Sequence, residues 1–246
     1  MLAVTAMLAV TASYYKSLRC ARPTSHGWHD RSCYFAAVTR TSPLKAHDRI
    51  LQSGLDLMSE RGLQGVTLGD LAARAEMSKS GLFAHFRSKE ELQLELLAAA
   101  ESLLVRQVVE PVECFPVGLA RLRALMTGWL GWARRSGLPG GCPLYGAVFE
   151  LDDARPGPVR DHVVLRHEAW VDYLAGLVRG AVATGDLSTD IDADALVWEL
   201  IGIYLSHHVA ERLDPRADAH ARAMRAFERV VAEAGSHLLP EPASAR

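Results

Sequence analysis

From Leu44 onward the apolar positions return at helical spacing, and no alternating run of the kind a half-buried strand needs stands out. Ile50, Leu51, Gly54, Leu55 and Met58 make one stripe, and Gly62 is placed to close that helix. "TLGD" opens a second helix, with Thr67 as a T-x-x-D cap and Leu68, Leu71 and Ala72 turned inward. Ser78 suits the cap of a short third helix ending near Phe86. Ser88 and Glu91 form an S-x-x-E box for a fourth, which is expected to run until Pro111 stops it.

The same period continues to the end. "VGLARLRALMTGWLGWARRS" reads as one helix ending at Gly137, followed by the loop "GLPGGCP" and a short helix around Tyr145 to Asp152. Pro158 suits the first turn of a long helix from about Val159 to Thr184. A helix capped by Asp192 halts before Pro215, and "ADAHARAMRAFERVVAEAG" is a last amphipathic helix before the frayed "PEPASAR". The fold class is therefore all-α: a three-helix head over 43–88 joined to a larger helical body over 89–240. Residues 1–42, with the hexamer MLAVTA twice in tandem, are expected to be an extension outside the folded unit.

Composition narrows the function classes. The chain of 246 residues is 49% apolar and 23% charged, which fits a globular protein. Its net charge of −2 means that an anionic partner must be met by a local patch. Cys20, Cys33, Cys114 and Cys142 lie far apart without a CxxC pair, so neither a zinc site nor a disulfide framework is suggested, and a reducing cytoplasm is the natural compartment. His162, His167, Glu168, His207 and His208 invite a metal reading, but His162 and His167 are not spaced to share a helix face, and no metal or cofactor is expected. No G-x-S-x-G, Walker A, GxGxxG or H-E-x-x-H occurs, and the acids of "ELDDA" lack an identifiable partner, so an enzyme is not expected. No run reaches the roughly 20 apolar residues that cross a bilayer, and a membrane partner is not expected either.

The stretch "MSKSGLFAHFRSKEEL" carries the candidate chemistry. Gly81 costs its helix about 1 kcal/mol against alanine, which favours a role for the bare backbone. Two short helices joined by the tight turn "AEMS" make a helix-turn-helix, whose second helix can lie in the major groove with its first residues against base edges. Those residues are Ser78, Lys79, Ser80 and Gly81. Small side chains let the backbone approach, and Lys79 supplies charge for phosphate.

In the order "ERG", "VTLGDLAARA", "SKSGLFAHF", "SKEEL", the sequence resembles the tetracycline-repressor (TetR) family of bacterial transcriptional regulators. That resemblance implies a DNA-binding head, a body holding a small-molecule inducer, and a homodimer made through the last two helices, bound to a palindromic double-stranded operator. It implies a ligand-responsive regulator, more a repressor than an activator. Residue by residue it assigns DNA contact to Thr67, Ser78, Lys79, Ser80, Gly81, Leu82, Phe83, Ala84, His85 and Lys89; Lys45, at the head's start, is either a phosphate contact or part of a solvated face. Phe83 stands where the family usually has tyrosine, so a phenolic bond to phosphate is lost; Ala84 suits a thymine methyl. Glu76 stands where the family usually has glycine, and if that position needs φ > 0 the glutamate costs about 1–2 kcal/mol.

For the body, Phe115, Met126, Trp129, Trp132, Tyr145, Phe149, Trp170 and Tyr173 are either core or the lining of an apolar inducer cavity, and the resemblance favours a lining for some of them and a lipophilic inducer. Cys142 in "GGCP" invites a redox-sensor reading that needs an exposed, acidic thiol. The dimer seam is expected at Leu196, Leu200, Tyr204, His207, Met224, Phe227 and Val231. The competing reading is a helical small-molecule-binding protein whose head no longer touches DNA.

Overall fold

The computed structural model describes residues 46–153, 155–214 and 218–235, all strand-free within those bounds. Lys45 and the expected extension lie outside the described residues. The head begins with α1 (Ala46–Arg61), closed by Gly62 at φ +79°, whose N–H donates to the Met58 carbonyl. The next three helices are α2 (Leu68–Arg74), α3 (Lys79–Phe83) and α4 (Lys89–Leu104). Their caps are those the sequence implies. Thr67 accepts from Asp70 N, Ser78 from Gly81 N and Ser88 from Glu91 N, each satisfying a first-turn N–H that has no helical partner.

The turn between α2 and α3 explains Glu76. Met77 N donates to Ala72 O and Glu76 N to Ala73 O, the paired bonds that close a helix through a left-handed residue. Glu76 is that residue, at φ 54°, and no other described non-glycine has a positive φ. The conformation that glycine favours is thus kept by a residue that strains to adopt it. Glu76→Gly should raise stability by about 0.5–1 kcal/mol, the relief of strain less glycine's extra chain entropy. In thermal unfolding that is a rise of about 1–4 °C; an unchanged midpoint would mean that the glutamate side chain offsets the strain.

Two details of the head differ from expectation. α3 ends at Phe83 rather than near Phe86, because His85 N and Phe86 N both turn back to the Leu82 carbonyl. Phe86 itself is fully buried. Pro111 does not stop the fourth helix. The chain passes through a π-helical turn, Val105–Val109, and resumes as the short α5 (Glu110–Val112). The π turn begins a new first turn, where the missing proline N–H has no partner to lose.

The body contains α6 (Leu119–Trp129), α7 (Trp132–Arg135), α8 (Pro143–Leu151), α9 (Pro158–Ala183), α10 (Ala193–Leu213) and α11 (Ala219–Gly235). The single helix expected over "VGLARLRALMTGWLGWARRS" is broken in two at Gly131, which sits at φ +70°. A Cβ there would stand 3.1 Å from Glu211 Oε1 of α10, so the kink brings the backbone against α10 at a point only glycine fits easily. Asp192 caps α10 as expected, accepting from the N–H groups of Asp194 and Ala195.

α4 belongs to two cores. Leu92, Leu96 and Leu97 pack with the head, while Ala100 and Leu104 pack with the body. The head's core also takes in Ala147 and Leu151 of α8 and Val163 of α9. Head and body therefore share packed side chains, which matters for how one can act on the other.

Candidate nucleic-acid interface and effector cleft

At the start of α3, Ser78, Lys79, Ser80 and Ala84 are exposed, and Phe83 is 55% exposed. An aromatic ring left in solvent on so small a unit has no packing role in the chain itself. Ser78 Oγ is 3.1 Å from Ser80 Oγ while it caps Gly81 N. A Cβ on Gly81 would come within 3.2 Å of that oxygen, so the glycine also protects the cap. Lys79 extends back over α2: its Nζ lies 3.9 Å, and Thr67 Oγ1 3.8 Å, from where a Gly69 Cβ would be. The ammonium and the hydroxyl thus flank one point at the entry to α2, a suitable geometry for a backbone phosphate. His85 is half-buried beside the rings of His47 and Phe86. Lys89 is exposed, and its Nζ donates to the Gln64 carbonyl at 2.9 Å. Leu82 is the correction in this group: it is 1% exposed and packs in the head's core, because on so short a helix the side chain after Gly81 points at α1 and α4 rather than outward.

The aromatic residues of the body gather instead of lining an open cavity. Trp129 stacks on Tyr204 at 4.1 Å between centroids, Trp170 meets Trp129 edge-on at 5.1 Å, and Tyr145 lies 5.1 Å from Tyr204. Trp132 Nε1 donates to Tyr204 Oη at 3.1 Å. Met126 is fully buried among the same residues, Phe115 and Tyr173 pack at the edge of that core, and Phe149 is 58% exposed. Tyr145 Oη and Trp170 Nε1 are buried there without hydrogen-bond partners.

A cleft of about 340 Å³ opens next to this cluster, between the 131–142 segment and the C-terminal half of α10. Of the aromatics proposed from sequence as a lining, Trp132 reaches it. The rest of the wall is mostly polar: Arg134 from α7, and His207, His208, Glu211 and Arg212 from α10, with Tyr204 between them. Sequence reasoning missed this wall, although its signal was present: 204, 207, 208, 211 and 212 recur at helical spacing on one face. Cys142 also lines it, but is 4% exposed, and burial raises its thiol pKa. A protonated, enclosed thiol does not meet the needs of a redox sensor.

The loop that forms the cleft also holds the head. Gly140 N donates to Ser59 Oγ at 3.0 Å and Gly141 N to the Ser59 carbonyl at 2.9 Å, both at the end of α1. A Cβ on Gly140 would overlap that carbonyl. One helix further, the Glu150 carboxylate of α8 accepts from Leu63 N at 2.9 Å and Gln64 N at 2.8 Å. A short strap, anchored at both ends, thus runs from the cleft to the α1–α2 loop.

The residues assigned to a dimer seam are a second correction. Leu196, Leu200, Tyr204, His207, Phe227 and Val231 are each at most 4% exposed, packed between α10, α11 and the rest of the body; only Met224 is half-buried. The large apolar side chains facing solvent on α10 are Trp198 at 78%, Val209 at 55% and Leu213 at 79%. Among the described residues no helix is long and apolar enough to cross a membrane.

Comparison with known proteins agrees with this geometry. Residues 50–96 match the model described as bacterial regulatory proteins, tetR family, and residues 118–227 match the tetracyclin repressor-like C-terminal domain. The chain is 34% identical over 174 residues to the HTH-type transcriptional repressor KstR2 of Mycolicibacterium smegmatis, covering 68% of this chain and 78% of that one. It is 29% identical over 177 residues to the transcriptional regulator AcuR of Cereibacter sphaeroides, covering 69% and 80%. The crystal structure of AibR in complex with isovaleryl coenzyme A and operator DNA superposes with a TM-score of 0.59 at 20% identity, covering 77% of this chain and 97% of that one.

Proposed function

We propose that this chain, which belongs to the TetR family of bacterial transcriptional regulators, binds a two-fold operator as a symmetric dimer and releases it when an effector occupies its body. The family makes it a DNA-binding, ligand-responsive regulator; repression, the dimer and the residue roles are our reading. The observation that carries it is the exposed row Ser78, Lys79, Ser80, Phe83 and Ala84 on a helix whose other face is locked into the head by Leu82. In that placement α3 enters the major groove, Lys79 and Thr67 hold phosphate, and Phe83 and Ala84 face base edges. The compartment that suits such a protein is the cytoplasm, where the operator is.

Lys79→Ala should weaken binding evenly across DNA sequences and lower the slope of log affinity against log salt by about one. Fluorescence anisotropy at several salt concentrations, with operator drawn from DNA flanking the gene, measures both. Wild-type binding lost to nonspecific competitor would favour a ligand-binding protein whose head no longer reads DNA.

Release follows if the effector prefers the head placement that does not fit the operator. The strap is the route: a shift of the 138–142 loop moves Ser59, and a shift of α8 moves the two amides that Glu150 holds. Glu150→Gln leaves one acceptor and turns an amide N–H₂ toward a backbone donor, so the strap loosens. Operator affinity without effector should stay within about threefold, while the effector's influence on it, ordinarily about 5–150-fold, should fall below about twofold. An undiminished response would remove Glu150 from the route.

A further inference from the structure

The cleft beside α10 has a composition that selects among ligands. Two guanidinium groups, Arg134 and Arg212, and one carboxylate, Glu211, are among the residues that line it. Arg134 Nη1 stands 3.8 Å from Glu211, beyond hydrogen-bond reach, and Arg212 makes no ion pair among the described residues. His207 is 4% exposed, and its Nδ1 is buried without a hydrogen-bond partner. A nitrogen left so is a cost that an added hydrogen-bond partner would relieve. Gly141 is required here, since a Cβ would stand 2.9 Å from His208 Cε1. The remaining wall is apolar: Trp132, Leu138 and Pro139. Among the described residues no three His, Cys, Asp or Glu side chains are close enough to hold a metal ion.

We propose that this cleft is the effector site and that its occupant is a small organic carboxylate, with the acid group between Arg134, Arg212 and the two imidazoles and the apolar body against Trp132 and Leu138. The inference rests on the reading above that the chain answers to an effector. The volume, about 340 Å³, lies at the small end of ligand pockets and suits a compact molecule. The planar forks of the arginines pair with carboxylate oxygens in two-point fashion. Because Gly141 is both cleft wall and donor to Ser59, an acid group pressing on His208 and the loop is felt at α1.

Protons provide an independent signature. Burial holds both imidazoles below their ordinary value, with Arg212 adding to the effect at His208 and with His220, His208 and Arg135 adding at His207; Glu211 opposes at both, and the neighbouring Cys142 thiol is uncharged. Both rings are therefore neutral at pH 7 before binding. An incoming carboxylate adds negative charge beside both rings, so binding draws in protons and tightens as pH falls toward and below the ordinary imidazole range.

The test is calorimetry on the full chain without DNA, using benzoate, its neutral counterpart benzamide, and inorganic phosphate. The expected result is that benzoate binds, that phosphate binds more weakly because it leaves the apolar wall uncovered, and that benzamide does not bind. Arg212→Gln, at an exposed position that does not threaten folding, should weaken benzoate at least about tenfold, and His208→Gln should reduce the pH dependence to the part that His207 carries. Benzamide binding as well as benzoate, phosphate binding best, no binding by either anion, or an unchanged Arg212→Gln would each overturn the proposal. Operator binding measured on the same preparation separates the outcomes: its presence with no anion binding refutes the effector class alone, and its absence refutes the regulator.

Discussion

Replacing Trp198 and Leu213 together with glutamate should leave a folded monomer that binds a full operator at least about a hundredfold more weakly than the wild type. The two side chains are 78% and 79% exposed on α10, and half-buried Ile201 and Leu205 with exposed Val209 continue the stripe between them. These positions recur every three or four residues, so they make one face of the helix running for about four turns. A stripe of that length on a solitary chain is an unmet surface, and its simplest partner is the same stripe related by a two-fold axis. Burying the tryptophan pair alone removes enough apolar area to contribute about 5 kcal/mol or more across the dimer. Four carboxylates gathered near a two-fold axis reverse that, while each protomer's core, which uses the opposite face, is untouched. Light scattering reads the oligomeric state and anisotropy the operator affinity. A variant that remains a dimer would put the seam elsewhere; one that is monomeric with undiminished affinity would show that a single head suffices.

Trp129→Ala is the other large effect. The ring is 1% exposed, stacked on Tyr204 and met edge-on by Trp170, with Tyr145 against Tyr204. Deleting it opens a cavity that the surrounding rings, held by one another and by the Trp132–Tyr204 hydrogen bond, cannot easily close. The loss should be about 3–5 kcal/mol in denaturant unfolding. A loss below about 1 kcal/mol, with ligand affinity reduced, would instead place Trp129 in a pocket lining that relaxes when the ring is removed. Phe149, 58% exposed at the edge of the cluster, serves as the contrast: its replacement by alanine should cost less than about 1 kcal/mol.

Much of this protein was legible before any coordinates. Caps and breakers act over four residues, so Thr67, Ser78, Ser88 and Asp192 announced the helices they cap, and Gly62 announced where α1 ends. The left-handed turn residue was legible for the same reason: a glycine position in the family pattern, filled here by Glu76, retains its φ of 54° because the two closing bonds of α2 are local. The start of α3 followed from its Ser78 cap.

What spacing does not carry is which of two apolar faces meets the chain's own core. α10 is apolar around much of its circumference, so Leu196, Leu200 and Tyr204 were as eligible for a partner as Trp198 and Leu213, until α11 and the aromatic cluster covered the first set. Nor does it carry contacts between residues 80 or more positions apart. Glu150 reads as a helix-surface acid until α8 is laid beside the head, and Gly140 as a flexible loop residue until Ser59 lies against it. The cleft is of the same kind. The sequence by itself determined most of the helices and their caps, because those depend on neighbours along the chain. The tertiary structure decided which face is buried, where the strap grips the head and where positive charge surrounds a cavity, because those depend on neighbours that only folding brings together.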